Sequence, residues 1–179
     1  IDWRLSECER LGVTFRFNHY AEASDVLAEN PDCVVVATGG VPCASVLSTG
    51  EELATTSWDI LSGAVPTARE VIVVDNNGSH PAMTIAEFVA EQADEMELVT
   101  PDRGLAPDIG STNFPAYMRA MNAPNVKVTL NLQVERLERR GNRIAAVFMD
   151  EYRKHEVVKE ADQVILEYGT SPVDDLYFA

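Results

Sequence analysis

Two periodicities alternate along the chain. Residues 1–11 set Trp3, Leu5, Cys8 and Leu11 on one face and Arg4, Glu7, Glu9 and Arg10 on the other, which predicts a helix stopped by Gly12. Val13-Thr14-Phe15-Arg16-Phe17 alternates as a strand does. Residues 21–29 predict a short helix that buries Ala21, Ala23, Val26 and Leu27, broken by Asn30-Pro31-Asp32. Cys33-Val34-Val35-Val36-Ala37-Thr38-Gly39-Gly40 is a continuous apolar run, the pattern of a parallel strand covered on both faces. Its paired glycines let the backbone leave the strand sharply and approach a ligand closely. From Val41 to Thr67 periodicity fades among Pro42, Gly50, Gly63 and Pro66, and only residues 57–61 read as a helical turn, capped by Thr56 or Ser57. This predicts a crossing segment, with Trp58 as a packing anchor between two layers.

The clearest unit is residues 71–92. Val71-Ile72-Val73-Val74 reads as a buried parallel strand, Asp75 to His80 as a polar turn, and Met83, Ala86, Phe88 and Ala90 as helix. Met96-Glu97-Leu98-Val99-Thr100 is the next strand, Pro101 to Ser111 a loop, and Phe114, Tyr117, Met118 and Met121 mark a helix ended by Asn122-Ala123-Pro124. Beyond it the period becomes strand-like. Residues 126–130 are of parallel type, and 133–138 and 144–149 flank the turn signal Arg140-Gly141-Asn142 as antiparallel strands of a meander. Residues 151–160 predict a third edge with Val157 and Val158 inward. Residues 161–170 end as another buried strand in Gly169-Thr170, an echo of 33–40.

Strands 13–17, 33–38 and 163–168 are expected in one sheet, and 71–74, 97–99 and 126–130 in a second that carries the meander. The fold class is thus α/β: a Rossmann-like three-layer domain of the FAD/NAD(P)-binding type inserted into a truncated second one. The expected bounds are 1–64 with 161–179 for the outer domain and 65–160 for the inserted one.

Composition narrows the functional classes. Among 179 residues, 46% are hydrophobic and 24% charged, values of a globular chain, while a net charge of -15 argues against nucleic acid and anionic membrane surfaces. No apolar stretch approaches the roughly 18–20 residues of a spanning helix, and no signal peptide is visible. Cys8, Cys33 and Cys43 are odd in number and lack metal spacing, which reads as free thiols in a reducing, cytoplasmic setting. The opening at Ile1, within a helical pattern and without an initiator methionine, is expected of a fragment.

Strand, tight turn and helix begin a dinucleotide-binding half, yet the three glycines such a turn needs are missing. Asp75, Asn77 or Gly78, and Pro81 or Ala82 occupy those places, and Asp75 brings a negative charge where a pyrophosphate would lie. Thr100-Pro101-Asp102, after the next strand, has neither an acid placed to grip a ribose nor an arginine pair for a 2′-phosphate. Asp75-Asn76-Asn77-Gly78-Ser79-His80 therefore reads as a degenerate nucleotide loop. The helix behind it retains a free N-terminus, although Asp75 and Glu87 weaken its attraction for anions. His80 lacks a second ligand at metal spacing and is read as a helix-entry residue bonded to local backbone. His19 and His155 are expected at the surface, and Cys33 as a small buried strand residue. The loop from Arg103 to Gly110 is expected to be mobile or to touch another domain.

Val34-Val35-Val36-Ala37-Thr38-Gly39-Gly40 with Pro42, and Tyr168-Gly169-Thr170-Ser171-Pro172, carry a family likeness. The chain resembles the C-terminal dinucleotide-binding region of the trimethylamine dehydrogenase and 2,4-dienoyl-CoA reductase group, old-yellow-enzyme-like NADH:flavin oxidoreductase fusions. Asn113-Phe114-Pro115-Ala116-Tyr117 and the 75–78 turn resemble the dimethylglycine and N-methylproline demethylase branch. The resemblance implies an upstream barrel in the same polypeptide carrying FMN and an iron–sulfur (4Fe-4S) cluster. It implies a partial FAD or ADP site at Ala37, Thr38, Gly39, Gly40, Gly169 and Thr170, with the phosphate-cradling glycine loop upstream.

Three readings follow from that likeness. One is a fragment of a flavin-dependent amine dehydrogenase or demethylase, with a structural NAD-like domain that takes no NAD(P). The second is part of an NAD(P)H-dependent flavin reductase, and the third a non-catalytic docking module. The likeness also implies an electron-transfer protein as a possible partner, and a possible homo-oligomer. No catalytic residue, no metal ligand and no tightly held cofactor are expected within the 179 residues themselves.

Overall fold

Alternation along one strand sets the layers of the larger unit. In β3 (Glu70–Asp75), Val71 and Val73 face one side of the sheet and Ile72 and Val74 the other, and all four are buried. A strand that is apolar on both faces must lie between two covering layers. This computed structural model describes residues 1–43 and 46–179; Ala44 and Ser45, within the predicted crossing segment, lie outside the described residues. The backbone divides into a unit of Gly40–Pro172 and a second of Ile1–Gly39 with Val173–Ala179.

In the larger unit, β1 (Gly40–Pro42) leads through a 3₁₀ turn at Glu51–Leu53 to β2 (Thr55–Thr56). A five-stranded parallel sheet has the order β2-β9-β3-β4-β5, with β4 at Glu95–Val99, β5 at Val126–Thr129 and β9 at Gln163–Glu167. Three helices, numbered after the two of the smaller unit, supply the cover on one face: α3 (Ser57–Leu61), α4 (His80–Ala90) and α5 (Phe114–Met121). Ile60, Met83, Ile85, Ala86, Val89 and Met121 pack there against Val71, Val73, Leu98 and Ile165. α3 starts with a reciprocal cap, Thr56 Oγ1 accepting from Asp59 N at 3.2 Å and Asp59 Oδ2 accepting from Thr56 N at 2.8 Å.

The other face is covered by an antiparallel sheet of β6 (Leu132–Arg140), β7 (Arg143–Asp150) and β8 (Glu156–Ala161). Gly141-Asn142 forms the β6–β7 turn between the paired Arg140 and Arg143. Leu132, Val134, Leu137, Ala146 and Phe148 close on Ile72, Val74, Val164 and Leu166. Lys159 of β8 reaches Glu97 of β4 at 2.8 Å, and Lys127 reaches the same oxygen at 3.1 Å. Burial pushes the Glu97 carboxyl upward, but its bonds from Lys159, Thr129 and Lys127 outweigh this and hold it below the usual range. This ion pair supports the fold above the ordinary carboxylate range and is lost as pH falls through the lowered value.

Several expectations are corrected. β9 pairs in parallel with both β2 and β3, inside the central sheet, and does not join 13–17 and 33–38. Its residues are all buried, and a strand buried on both faces takes a central position. The central sheet thus continues past residue 160 into β9. In β8, Val157 packs inward while Val158 is 44% exposed, because consecutive strand side chains point to opposite faces. Trp58 is 49% exposed: α3 turns Ser57 and Ile60 inward and leaves Trp58 outward.

The smaller unit holds α1 (Asp2–Arg10), α2 (Ala23–Ala28) and, at its other end, α6 (Asp175–Phe178); the remaining strand of the larger unit, β10 (Thr170–Pro172), pairs antiparallel with β1. No residue of 1–39 or 173–179 is buried. The runs 13–17 and 33–38 are not strands, and Phe17 and Val35 are 73% and 84% exposed. An apolar run creates a demand for cover, but a strand also needs a ladder partner, and no described residue supplies one. Cys33 is likewise exposed, contrary to expectation. The predicted buried side of α2 is not buried either.

Phe148, fully buried at the centre of the meander-side core, gives a direct test of this layer. Phe148→Ala is expected to cost about 3–5 kcal/mol in urea denaturation. A loss below about 1 kcal/mol would show that the meander is not packed on the sheet as described.

Candidate functional site

The carboxyl ends of parallel strands are where ligands bind in open α/β sheets. Here β3 and β9 end side by side on two acids, Asp75 and Glu167, which are paired in register. Both are buried. Asp75 Oδ1 accepts from the backbone amides of Asn77 at 2.9 Å and Gly78 at 2.7 Å. Its Oδ2 is buried without a partner. Glu167 Oε2 accepts from the Ser57 hydroxyl, and Oε1 accepts from Gly169 N at 2.9 Å. Asn76 N donates to the Glu167 carbonyl at 3.0 Å, which joins the two strand ends through backbone.

Asp75 is therefore turned down into its own turn and does not face a cleft. Gly78 has a φ of +66°, which favours glycine, and Pro107 and Asp102 lie 3.1–3.2 Å from where a side chain would begin. Asp108 N donates to the Gly78 carbonyl at 3.0 Å. The loop after β4 is folded back over the turn, with Ala106 and Ile109 buried. Asn131 N donates to the Asp102 carbonyl at 3.2 Å and Leu132 N to the Thr100 carbonyl at 3.1 Å, tying the loop to the start of β6.

Of the remaining loop residues, Ser79 is the N-cap of α4 without a side-chain bond, and Pro81 follows at the first turn. His80 Nδ1 lies 3.2 Å from the Tyr117 hydroxyl, which is also 3.2 Å from Thr84 Oγ1. The histidine thus pairs with a side chain of α5 and not with local backbone. A helix entry points its side chain at the neighbouring helix, which local sequence cannot reveal.

The strand-end residues divide between the units. Ala37, Thr38 and Gly39 belong to the smaller one, where Thr38 Oγ1 donates to the Val173 carbonyl and Val173 N donates to the Gly39 carbonyl at 2.9 Å. Gly39 has a φ of +73°, a conformation that favours glycine. Gly40 is required for another reason: a Cβ there would meet the Ser171 carbonyl at 2.6 Å and Thr170 Cβ at 3.1 Å. Gly169, with a φ of +76°, faces Asn77 Nδ2. Tyr168 beside it keeps its proton: burial pushes its hydroxyl up to about 12, while a bond from Gln133 pulls the other way.

As a cradle for phosphates, the 75–80 turn does not fit. The two amides that could face a phosphate are taken, and Asp102 and Glu167 add negative charge. No group of three or more His, Cys, Asp or Glu side chains among the described residues is arranged to hold a metal ion. No helix of the described residues is long and apolar enough to cross a membrane. Glu167 was not singled out from sequence, and Ser57 was read only as a helix cap. A signal was present for Glu167, an acid that closes an apolar strand two residues before a glycine, just as Asp75 closes another three before Gly78.

A central parallel sheet with helices on one face and antiparallel strands on the other is the mixed α/β arrangement of flavoprotein and NAD(P)-binding reductases. A thioredoxin reductase from Lactococcus lactis matches it in fold over 78% of this chain, with a TM-score of 0.61 and 14% identity. No protein-family model matches the sequence. It is 43% identical over 178 residues to a "Probable N-methylproline demethylase" of Rhizobium meliloti, covering 99% of this chain and 26% of that protein. It is 32% identical to an "N,N-dimethylglycine/sarcosine dehydrogenase" of Chromohalobacter salexigens, again over 99% of this chain and 26% of the relative. The structure of a 2-naphthoyl-CoA reductase in complex with 2-naphthoyl-CoA matches at 27% identity and a TM-score of 0.79, over 99% of this chain and 26% of its own. The chain spans about a quarter of the length of the curated relatives it matches. Its similarity to the demethylase and amine dehydrogenase group is that of a segment to a much longer protein.

Burial pushes the Asp75 carboxyl up, with Asp102 and Glu167 adding to it, against the opposing bonds from Gly78 and Asn77. The folded chain thus binds this proton more tightly than the unfolded one. The resulting stability is present in full below the ordinary value of 3.8 and is lost as pH rises through the raised value. Asp75→Asn keeps an acceptor for both amides but cannot ionise. Its stability relative to wild type is expected to be small at acid pH and to grow in the variant's favour toward neutrality, in denaturant titrations at a series of pH values. A gap that stays constant with pH would refute the buried-acid assignment.

Proposed function

We propose that this chain is the dinucleotide-domain portion of a larger flavin-dependent oxidoreductase of the amine dehydrogenase and demethylase type. The observation that carries this reading is the 43% identity to the N-methylproline demethylase along 99% of the chain. The names of both curated relatives imply a secondary or tertiary N-methyl amine as substrate. The flavin would supply the two-electron oxidation of such an amine, outside these residues.

Within this reading, the five-stranded parallel sheet with its helices and meander is an NAD-like domain kept as scaffold, inserted between the two parts of an incomplete FAD- or ADP-binding one. Ala37, Thr38, Gly39, Gly40, Gly169 and Thr170 would be this chain's share of the nucleotide's contacts, completed by residues upstream. The bare apolar surface of the smaller unit, Trp3, Phe17 and Val35 among it, would be covered by the rest of the polypeptide, including a barrel that carries FMN and a 4Fe-4S cluster. Electrons would leave to a separate transfer protein, and the parent would assemble as a homo-oligomer.

The likeness to the 2-naphthoyl-CoA reductase favours a second reading, a reductase that draws electrons from NAD(P)H. One assay on the polypeptide carrying this chain separates the two. Offered N-methylproline or dimethylglycine with an artificial electron acceptor, it is expected to release formaldehyde and to leave NADH and NADPH unconsumed. Oxidation of either nucleotide without formaldehyde release would establish the reductase reading instead.

A further inference from the structure

A phosphate held by a strand–turn–helix unit is held by backbone amides at the turn, in a place free of negative charge. In this chain both requirements are reversed by one side chain. Asp75 Oδ1 takes the amides of Asn77 and Gly78 at 2.9 and 2.7 Å, so an anionic oxygen already sits where a phosphate oxygen would bind. Its other oxygen is buried in the turn without a partner. The acids facing it come from two further elements, Glu167 at the end of β9 and Asp102 after β4. The loop that bears Asp102 also lays Pro107 against Gly78, the one glycine of the 75–80 turn, and bonds Asp108 N to the Gly78 carbonyl.

We propose that Asp75 is an internal substitute for phosphate and is the residue that excludes dinucleotides from this domain. The inference rests on reading residues 75–80 as a phosphate-loop position. It deepens that reading by assigning the loss of nucleotide binding to a gained side chain and not only to missing glycines. A diphosphate ligand would have to displace a fixed intramolecular acceptor and bring its own charge beside Asp75, Glu167 and Asp102, which opposes binding twice over. Glycine at position 75 removes both obstacles. Asparagine removes only the charge, because its carbonyl oxygen still accepts from the two amides.

The test compares the full polypeptide carrying this chain, its flavin sites filled, with its Asp75→Gly and Asp75→Asn variants, using ADP-ribose as the probe in calorimetric titration. ADP-ribose carries the diphosphate and lacks the nicotinamide. Wild type is expected to bind weakly or not at all. Asp75→Gly is expected to bind at least about tenfold more tightly, the scale of a restored pair of charge-assisted hydrogen bonds, with Asp75→Asn between the two. Amide hydrogen exchange provides a second readout: Asn77 and Gly78 are expected to be protected in wild type and to lose protection in Asp75→Gly alone. Wild-type affinity equal to that of Asp75→Gly overturns the proposal. So does an Asp75→Gly chain that keeps its near-ultraviolet dichroism and gains no affinity. If Asp75→Gly does not fold, Asp75→Asn decides, since a folded variant with no gain at all overturns the charge argument. Formaldehyde release by the parent polypeptide is a separate readout, so failure here and failure of the proposed activity are told apart.

Discussion

The double-sided burial of β3 is the constraint on which the larger unit depends. Val71 and Val73 require helices on one face, and Ile72 and Val74 require the meander on the other. With both faces closed, the sheet can meet a ligand only at the ends of its strands. Those ends carry Asp75 and Glu167, and the covering layers leave neither acid exposed to water. The same packing that makes the sheet stable thus makes its acids costly, and each is compensated locally, Asp75 by two amides and Glu167 by Ser57 and Gly169.

What was legible in the sequence is what short-range periodicity encodes. The strand at 71–74, the helices around 80–90 and 114–121, and the hairpin turning at Gly141-Asn142 follow from local pattern. Placement among partners was less legible. The run 163–167 carries the same apolar signal as 33–38, yet one is a central strand and the other unpaired, because the difference lies in which strands are available to each. Val157 and Val158 show a smaller version of this limit, since apolar character does not say which of two neighbours faces in.

At the candidate site, residue identity was legible and direction was not. Asp75 stood out as an acid in a phosphate position, but only coordinates place its carboxylate back inside the turn. The Ser57–Glu167 bond joins residues 110 positions apart, and no spacing rule would pair them. Gly40 is a similar case: a glycine that resembles a ligand contact is needed by the neighbouring backbone at Ser171.

Glu97, paired across to Lys159 of the meander, and the buried Asp75 lie in one sheet and respond to acid in opposite senses. Glu97 gives up its proton more readily on folding, whereas Asp75 retains it more firmly. Proton release at one group on folding is thus offset in part by proton uptake at the other. Acidification would weaken the tie between the meander and β4 while easing the strain of the charged turn at β3. The domain carries a partial buffer of its own stability in the carboxylate range, drawn from two acids that never touch.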